Sequence, residues 1–121
     1  MTQQTIIAVV DDLMFQSKLE HGVRDLGYAF VAVDTEAGLR DAVSSDIALV
    51  VIDLHVRGID WRAAVAIANE HGVPVLAFGR HTEAQLLRSA RKAGCDRVVP
   101  RSTFVEELPR LIEELVSSRA T

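Results

Sequence analysis

A single cysteine, Cys95, in 121 residues removes any internal disulfide and fits a reducing compartment. Long apolar runs are also missing. None approaches the roughly 20 residues of a membrane-spanning helix, and no basic stretch followed by an apolar one marks a signal peptide. A cytoplasmic protein without membrane contact is expected. Positive charge is not in excess: 13 Lys and Arg stand against 17 Asp and Glu, giving a net charge of −4, so nucleic acid is not a natural partner. Neither Gly-x-x-x-x-Gly-Lys-Ser/Thr nor Gly-x-Gly-x-x-Gly occurs, which excludes the common nucleotide-binding loops. Repeats, low-complexity segments and linkers are absent. The chain reads as one domain over 1–121 whose output passes through a separate partner.

What is present is enough apolar residue for a core, 49% of the chain, arranged in strict alternation. Short β-branched runs predict strands near 5–11, 28–33, 47–53, 74–79 and 96–100, and the apolar runs 6–10 and 48–52 read as buried on both faces. Amphipathic stretches predict helices near 13–26, 35–44, 60–71, 82–93 and 103–119. Phe15, Leu19, Val23 and Leu26 form one stripe of the first helix. Gly27, Gly72 and Gly94 suit helix C-termini. Thr103 and Glu106 fit a capping box, and Pro109 should bend the last helix. Strand–helix alternation implies an α/β doubly wound parallel sheet with helices on both faces. Right-handed crossovers favour the flavodoxin-like order 2-1-3-4-5.

Two of the strand-like runs end in acid. Ile6-Ile7-Ala8-Val9-Val10 runs into Asp11-Asp12, and Ala48-Leu49-Val50-Val51-Ile52 into Asp53. Parallel strands converge with their C-termini on one edge, where ligands bind. Three carboxylates in one crevice make a divalent-cation site, a carboxylate nucleophile, or both. The bland alternative is that strand-end acids cap the following helices, Asp12 as the N-cap before Leu13.

With this acid pair and central Asp, the chain resembles a response-regulator receiver domain of the CheY-like kind over nearly its whole length. Asp11 and Asp12 match the family's acidic pair, and Asp53 its phosphoacceptor. Val73-Pro74-Val75-Leu76-Ala77-Phe78 looks like the fourth strand, and Ala93-Gly94-Cys95-Asp96 like the family's Ala-Gly-Ala-Asp before the fifth. The resemblance implies a non-enzymatic signalling domain. Mg²⁺ would be held by Asp11, Asp12, Asp53 and the backbone carbonyl of His55. The phosphoryl group would come from a histidine kinase or phosphotransfer protein, and the signal would pass to an unknown downstream protein.

The departures from the family pattern are as informative. Val56, Arg57 and Trp61 replace the usual Met, Pro and Gly after the phosphoacceptor. The Ser or Thr that bonds the phosphoryl group is Gly79, followed by Arg80. That removes a charge-assisted hydrogen bond of roughly 1.5–3 kcal/mol. The fifth-strand Lys is Arg101 in a gapless alignment, or Val99 if the prolines are matched. The aromatic switch position falls at Val98. Impaired or altered switching is therefore expected, and a pseudo-receiver that binds partners without phosphate is the alternative.

Other signals remain. His55 and His81 follow Asp53 and Gly79 by two residues and, with Asp12 and Asp53, would suit a transition metal. Asp53-Leu54-His55-Val56-Arg57-Gly58 also matches Asp-x-His-x-x-Gly, the lower-ligand motif of cobalamin-binding domains, although there it follows the first strand. Arg80, Arg88, Arg91, Lys92, Arg97 and Arg101 place six of the thirteen basic residues within 22 positions, ahead of Glu106, Glu107, Glu113 and Glu114. In the family this region is a partner or dimer surface, and adjacent stripes of opposite sign over 80–119 would pair about a two-fold axis. The plain reading is a solvated face with intrachain pairs.

Overall fold

The computed structural model describes residues 3–120. Its elements alternate as expected: β1 Thr5–Val9, α1 Leu13–Asp25, β2 Ala29–Val33, α2 Glu36–Ala42, β3 Leu49–Asp53, α3 Trp61–Glu70, β4 Val75–Gly79, α4 Ala84–Lys92, β5 Arg97–Pro100 and α5 Arg101–Ala120. All strand pairs are parallel, in the order β2-β1-β3-β4-β5.

The alternating direction of side chains along each strand divides the core in two. Ile7, Val9, Val50, Ile52, Val75 and Ala77 face α2, α3 and α4, together with Leu39, Ala64, Ile67, Leu87 and Ala90. Ile6, Ala8, Leu49, Val51, Leu76 and Phe78 face α1 and α5, with Phe15, Leu19, Val23, Phe104 and Ile112. The central strands β3 and β4 are buried throughout, which is why they read as unbroken apolar runs.

Gly27, Gly72 and Gly94 follow α1, α3 and α4 with φ of 92°, 69° and 111°, the left-handed conformation that ends a helix without a Cβ penalty. Two boundaries differ from expectation. β1 stops at Val9, because the chain turns out of the sheet so that Asp12 can cap α1. α5 starts at Arg101, directly after β5, so Thr103 lies inside its first turn and does not open a capping box. The bend foreseen from Pro109 is present: the helix loses its regular dihedrals at Glu107 (φ −115°, ψ 18°), in the turn before the proline ring.

Candidate functional site

The sheet register carries the acids to one edge. Val9 pairs with Ile52, Asp53 with Phe78, and Gly79 with Pro100, so Asp11, Asp53, Gly79 and Arg101 all fall at the C-terminal ends of adjacent strands. Asp53 is 6% exposed and is the buried charged residue of the described chain. Its Oδ1 accepts the backbone N–H of His55 at 2.9 Å. Burial pushes its carboxyl above the usual carboxylate range. The His55 N–H, the His55 ring and the Arg101 guanidinium pull it down, and the charge of Asp11 pushes it up again.

The three carboxylates do different work. Asp11 is exposed and accepts the backbone N–H of Arg57 at 2.9 Å, tying the β3–α3 loop to the end of β1. Asp12 turns to its own helix, where its Oδ1 accepts from Met14 N at 3.0 Å and from Phe15 N at 3.1 Å. Here the capping role holds, since a carboxylate suits unpaired N–H groups at a helix N-terminus. Among the described residues no three His, Cys, Asp or Glu side chains converge at metal-binding distance. Three convergent carboxylates, and the grouping of His55 and His81 with Asp12 and Asp53, are therefore not what the structure forms. Asp11 and Asp53 remain electrostatically coupled. Two carboxylates and a nearby carbonyl suit Mg²⁺, which takes one or two carboxylates and keeps several waters.

Arg101 begins α5, and its guanidinium carbon sits 4.2 Å from the centre of the Phe15 ring. Phe15 is itself held by Phe78 and Phe104, with ring centres 5.2 and 6.0 Å away. This aromatic stack gives the cation a seat beside Asp53. Val99, by contrast, is buried in the α1–α5 core and Val98 in the opposite one.

Gly79 has no side chain, but the space above it is not empty. A Cβ there would meet Leu87 at 3.2 Å, Leu54 at 3.4 Å and Nε2 of His55 at 3.7 Å. His55 Nε2 accepts the Arg80 backbone N–H at 3.4 Å and lies 3.8 Å from the Glu83 carboxylate. Its ring is thus engaged over β4, not turned out as a free metal ligand. His81 is exposed.

The basic and acidic stripes are partly paired within the chain. Arg97 meets Glu114 at 3.2 Å, Arg110 bridges Glu107 and Glu114, and Arg91 donates to the Val98 carbonyl at 3.3 Å. Arg88, Lys92 and Glu106 are exposed.

One residue of consequence carried no chemical signal in the sequence. A Cβ on Gly58 would lie 2.0 Å from the carbonyl oxygen of Asp34, so the β3–α3 loop crosses the end of β2 in backbone contact. Its place beside Arg57, the residue that binds Asp11, makes it a positioning residue for the site.

No family model and no curated protein matches the chain. Solved structures do. It is similar to full-length FixJ from B. japonicum, with 20% identity and a TM-score of 0.81 over 98% of this chain and 60% of that one, so it spans less than two thirds of FixJ. It is similar to a response regulator receiver domain protein from Clostridium thermocellum, with 14% identity and a TM-score of 0.83 over 97% of both chains. A third is the receiver domain of a sensor histidine kinase from Pseudomonas aeruginosa, crystallised with magnesium in its active-site cleft, with 21% identity and a TM-score of 0.80 over 96% of this chain and 99% of that one. At such identities the likeness is one of fold, and the chain has the fold of the response-regulator receiver domains.

Proposed function

We propose that the protein is a phosphoacceptor signalling domain in which Asp53 takes a phosphoryl group from a phosphorylated histidine of a kinase or phosphotransfer protein. The observation that carries this reading is the one buried carboxylate of the described chain, at the sheet edge between an acid, Asp11, and a cation, Arg101. A carboxylate oxygen of Asp53 attacks phosphorus, the P–N bond breaks as the P–O bond forms, and the electron pair leaves on the imidazole nitrogen, which takes up a proton. Such transfers depend mainly on positioning and charge neutralisation. Mg²⁺, held by Asp11, Asp53 and the His55 carbonyl, would neutralise phosphoryl oxygens. Asp12 supports the site by fixing the start of α1. Arg101, whose charge acts on Asp53, would offer its guanidinium fork to phosphate oxygens.

Beryllofluoride, a phosphoryl mimic, tests this directly. Saturable binding that requires Mg²⁺ and changes Trp61 fluorescence is expected, since Trp61 is buried at the start of α3, one short loop from Asp53. No binding at millimolar reagent would sink the reading and leave the phosphate-independent module. Arg101→Ala should weaken the mimic about tenfold or more, the equivalent of one charge-assisted bond, with partial recovery in Arg101→Lys. Unchanged affinity in the alanine variant would remove Arg101 from the site.

A further inference from the structure

We infer that His55 carries the state of Asp53 to the start of α4, taking the route that a hydroxyl on Gly79 would otherwise provide. As a signalling route this rests on the phosphoacceptor reading above. As a physical coupling it stands on three contacts.

The first contact joins residue 55 to the carboxylate: the His55 backbone N–H donates to Asp53 Oδ1 at 2.9 Å. Any group that takes over that oxygen must lengthen or redirect this bond. The second joins the same residue to the β4–α4 loop. The imidazole crosses above Gly79, and its Nε2 accepts the Arg80 N–H at 3.4 Å, at the long end for a hydrogen bond and so easily tightened or broken.

The third contact concerns Glu83. It occupies the N-cap position of α4 yet makes no side-chain cap bond to its own helix. Its carboxylate instead faces His55 at 3.8 Å and Arg80 at 3.7 Å. Asp12, Thr35 and Asp60 do cap their helices, so the N-terminus of α4 is bound less tightly than those of α1, α2 and α3. With its Nε2 lone pair on the Arg80 N–H, His55 holds the chain just before the helix, and Arg80 is the cation that Glu83 meets. The backbone bond from Leu54 N to the Phe78 carbonyl also joins β3 to β4, but it does not touch the Asp53 carboxylate and cannot report its state. His55 is the residue that touches both ends, Asp53 through its backbone N–H and Arg80 through its ring.

A double-mutant cycle read by amide NMR tests the coupling without any phosphoryl ligand. Asp53→Ala, which removes the oxygen that accepts the His55 N–H, should shift the amides of residues 80–87 in the parent protein. In His55→Leu, which keeps bulk over Gly79 but removes the acceptor, those shifts should fall at least threefold. His55→Ala serves as the second deletion, and His55→Gln, which keeps an acceptor within reach, should restore most of the effect. Full-size shifts in both deletion variants would overturn the proposal. So would a parent protein in which Asp53→Ala leaves residues 80–87 unmoved. Failure of beryllofluoride to bind the parent protein would instead remove the phosphoacceptor reading and leave this cycle to be judged by its own result.

Discussion

Replacing Asp53 by Asn should abolish covalent phosphoryl uptake and at the same time raise the melting temperature at pH 7. The first effect follows because an amide oxygen is no nucleophile for phosphorus. The second follows from where the charge sits. Asp53 is 6% exposed, and burial raises its carboxyl above the ordinary value despite the His55 N–H and Arg101. A carboxyl raised on folding binds more protons in the folded than in the unfolded chain between the unfolded value, about 3.9, and the raised one. Stability therefore falls as pH rises through that window, and the loss is complete above it. Asn keeps an oxygen to accept the His55 N–H and removes the charge. The variant and the parent should melt together below about pH 4 and diverge above the window, the variant being the more stable. Added Mg²⁺ should narrow the gap by raising only the parent. Thermal scans across pH, with acetyl phosphate labelling at neutral pH, decide both halves. A variant less stable than the parent at pH 7, or a gap that does not change with pH, would contradict the electrostatic account.

That prediction rests on a site whose two halves were unequally visible in the sequence. The strand-end position of Asp11, Asp12 and Asp53 was legible because unbroken β-branched apolar runs fix where buried strands lie, and parallel order then fixes a shared edge. The strand order and the three glycine stops were legible for the same local reasons. What a carboxylate does at that edge was not. Asp12 is an equally good residue for a metal and for a helix N-cap, and only the turn of the chain at Asp12 decides for the cap. Arg101 and Val99 fit one position equally well in the sequence; in the fold Val99 is buried and the Arg101 guanidinium lies on Phe15, a residue 86 positions earlier in the chain. The place of the His55 ring was not legible, because nothing local shows that it lies over Gly79, 24 residues on. The start of α5 was misjudged because a Thr-x-x-Glu signal stands two residues inside a helix that needs no loop before it.

The substitutions at this edge form a consistent set. Gly79 gives up a hydroxyl, and the His55 imidazole lies over it. Arg101 is longer than Lys and rests on an aromatic ring. The groups that act on the Asp53 carboxyl thus come from the loop after β3, as the His55 N–H and ring, and from α5, as the Arg101 charge. A Cβ placed at residue 79 would meet Leu87 at the tight end of contact and His55 Nε2 at ordinary contact distance.

The largest loss of stability from a single methyl group is expected at Gly58. In Gly58→Ala the new Cβ would stand 2.0 Å from the Asp34 carbonyl oxygen, a distance no pair of such atoms tolerates. The obstacle is backbone at the end of β2, so it cannot swing aside as a side-chain tip would. Relief requires the β3–α3 loop or the β2–α2 junction to move. Overpacking costs typically 1–3 kcal/mol, and with a rigid partner the upper end applies, about 3 kcal/mol. For a domain of this size that is a fall of roughly 10 °C in melting temperature. A functional loss should accompany it, because Arg57 immediately precedes Gly58 and its N–H holds Asp11 at 2.9 Å. Displacing the loop loosens Asp11 and should weaken Mg²⁺ binding even where the protein remains folded. Gly22→Ala provides the contrast. Its Cβ would stand 3.2 Å from a terminal methyl of Leu108, which can give, and alanine gains up to about 1 kcal/mol of helix propensity over glycine inside α1. Denaturant melts should thus separate the two variants by several kcal/mol. If Gly58→Ala melted within a degree or two of the parent, the close crossing of loop and strand that positions Asp11 would not exist in solution.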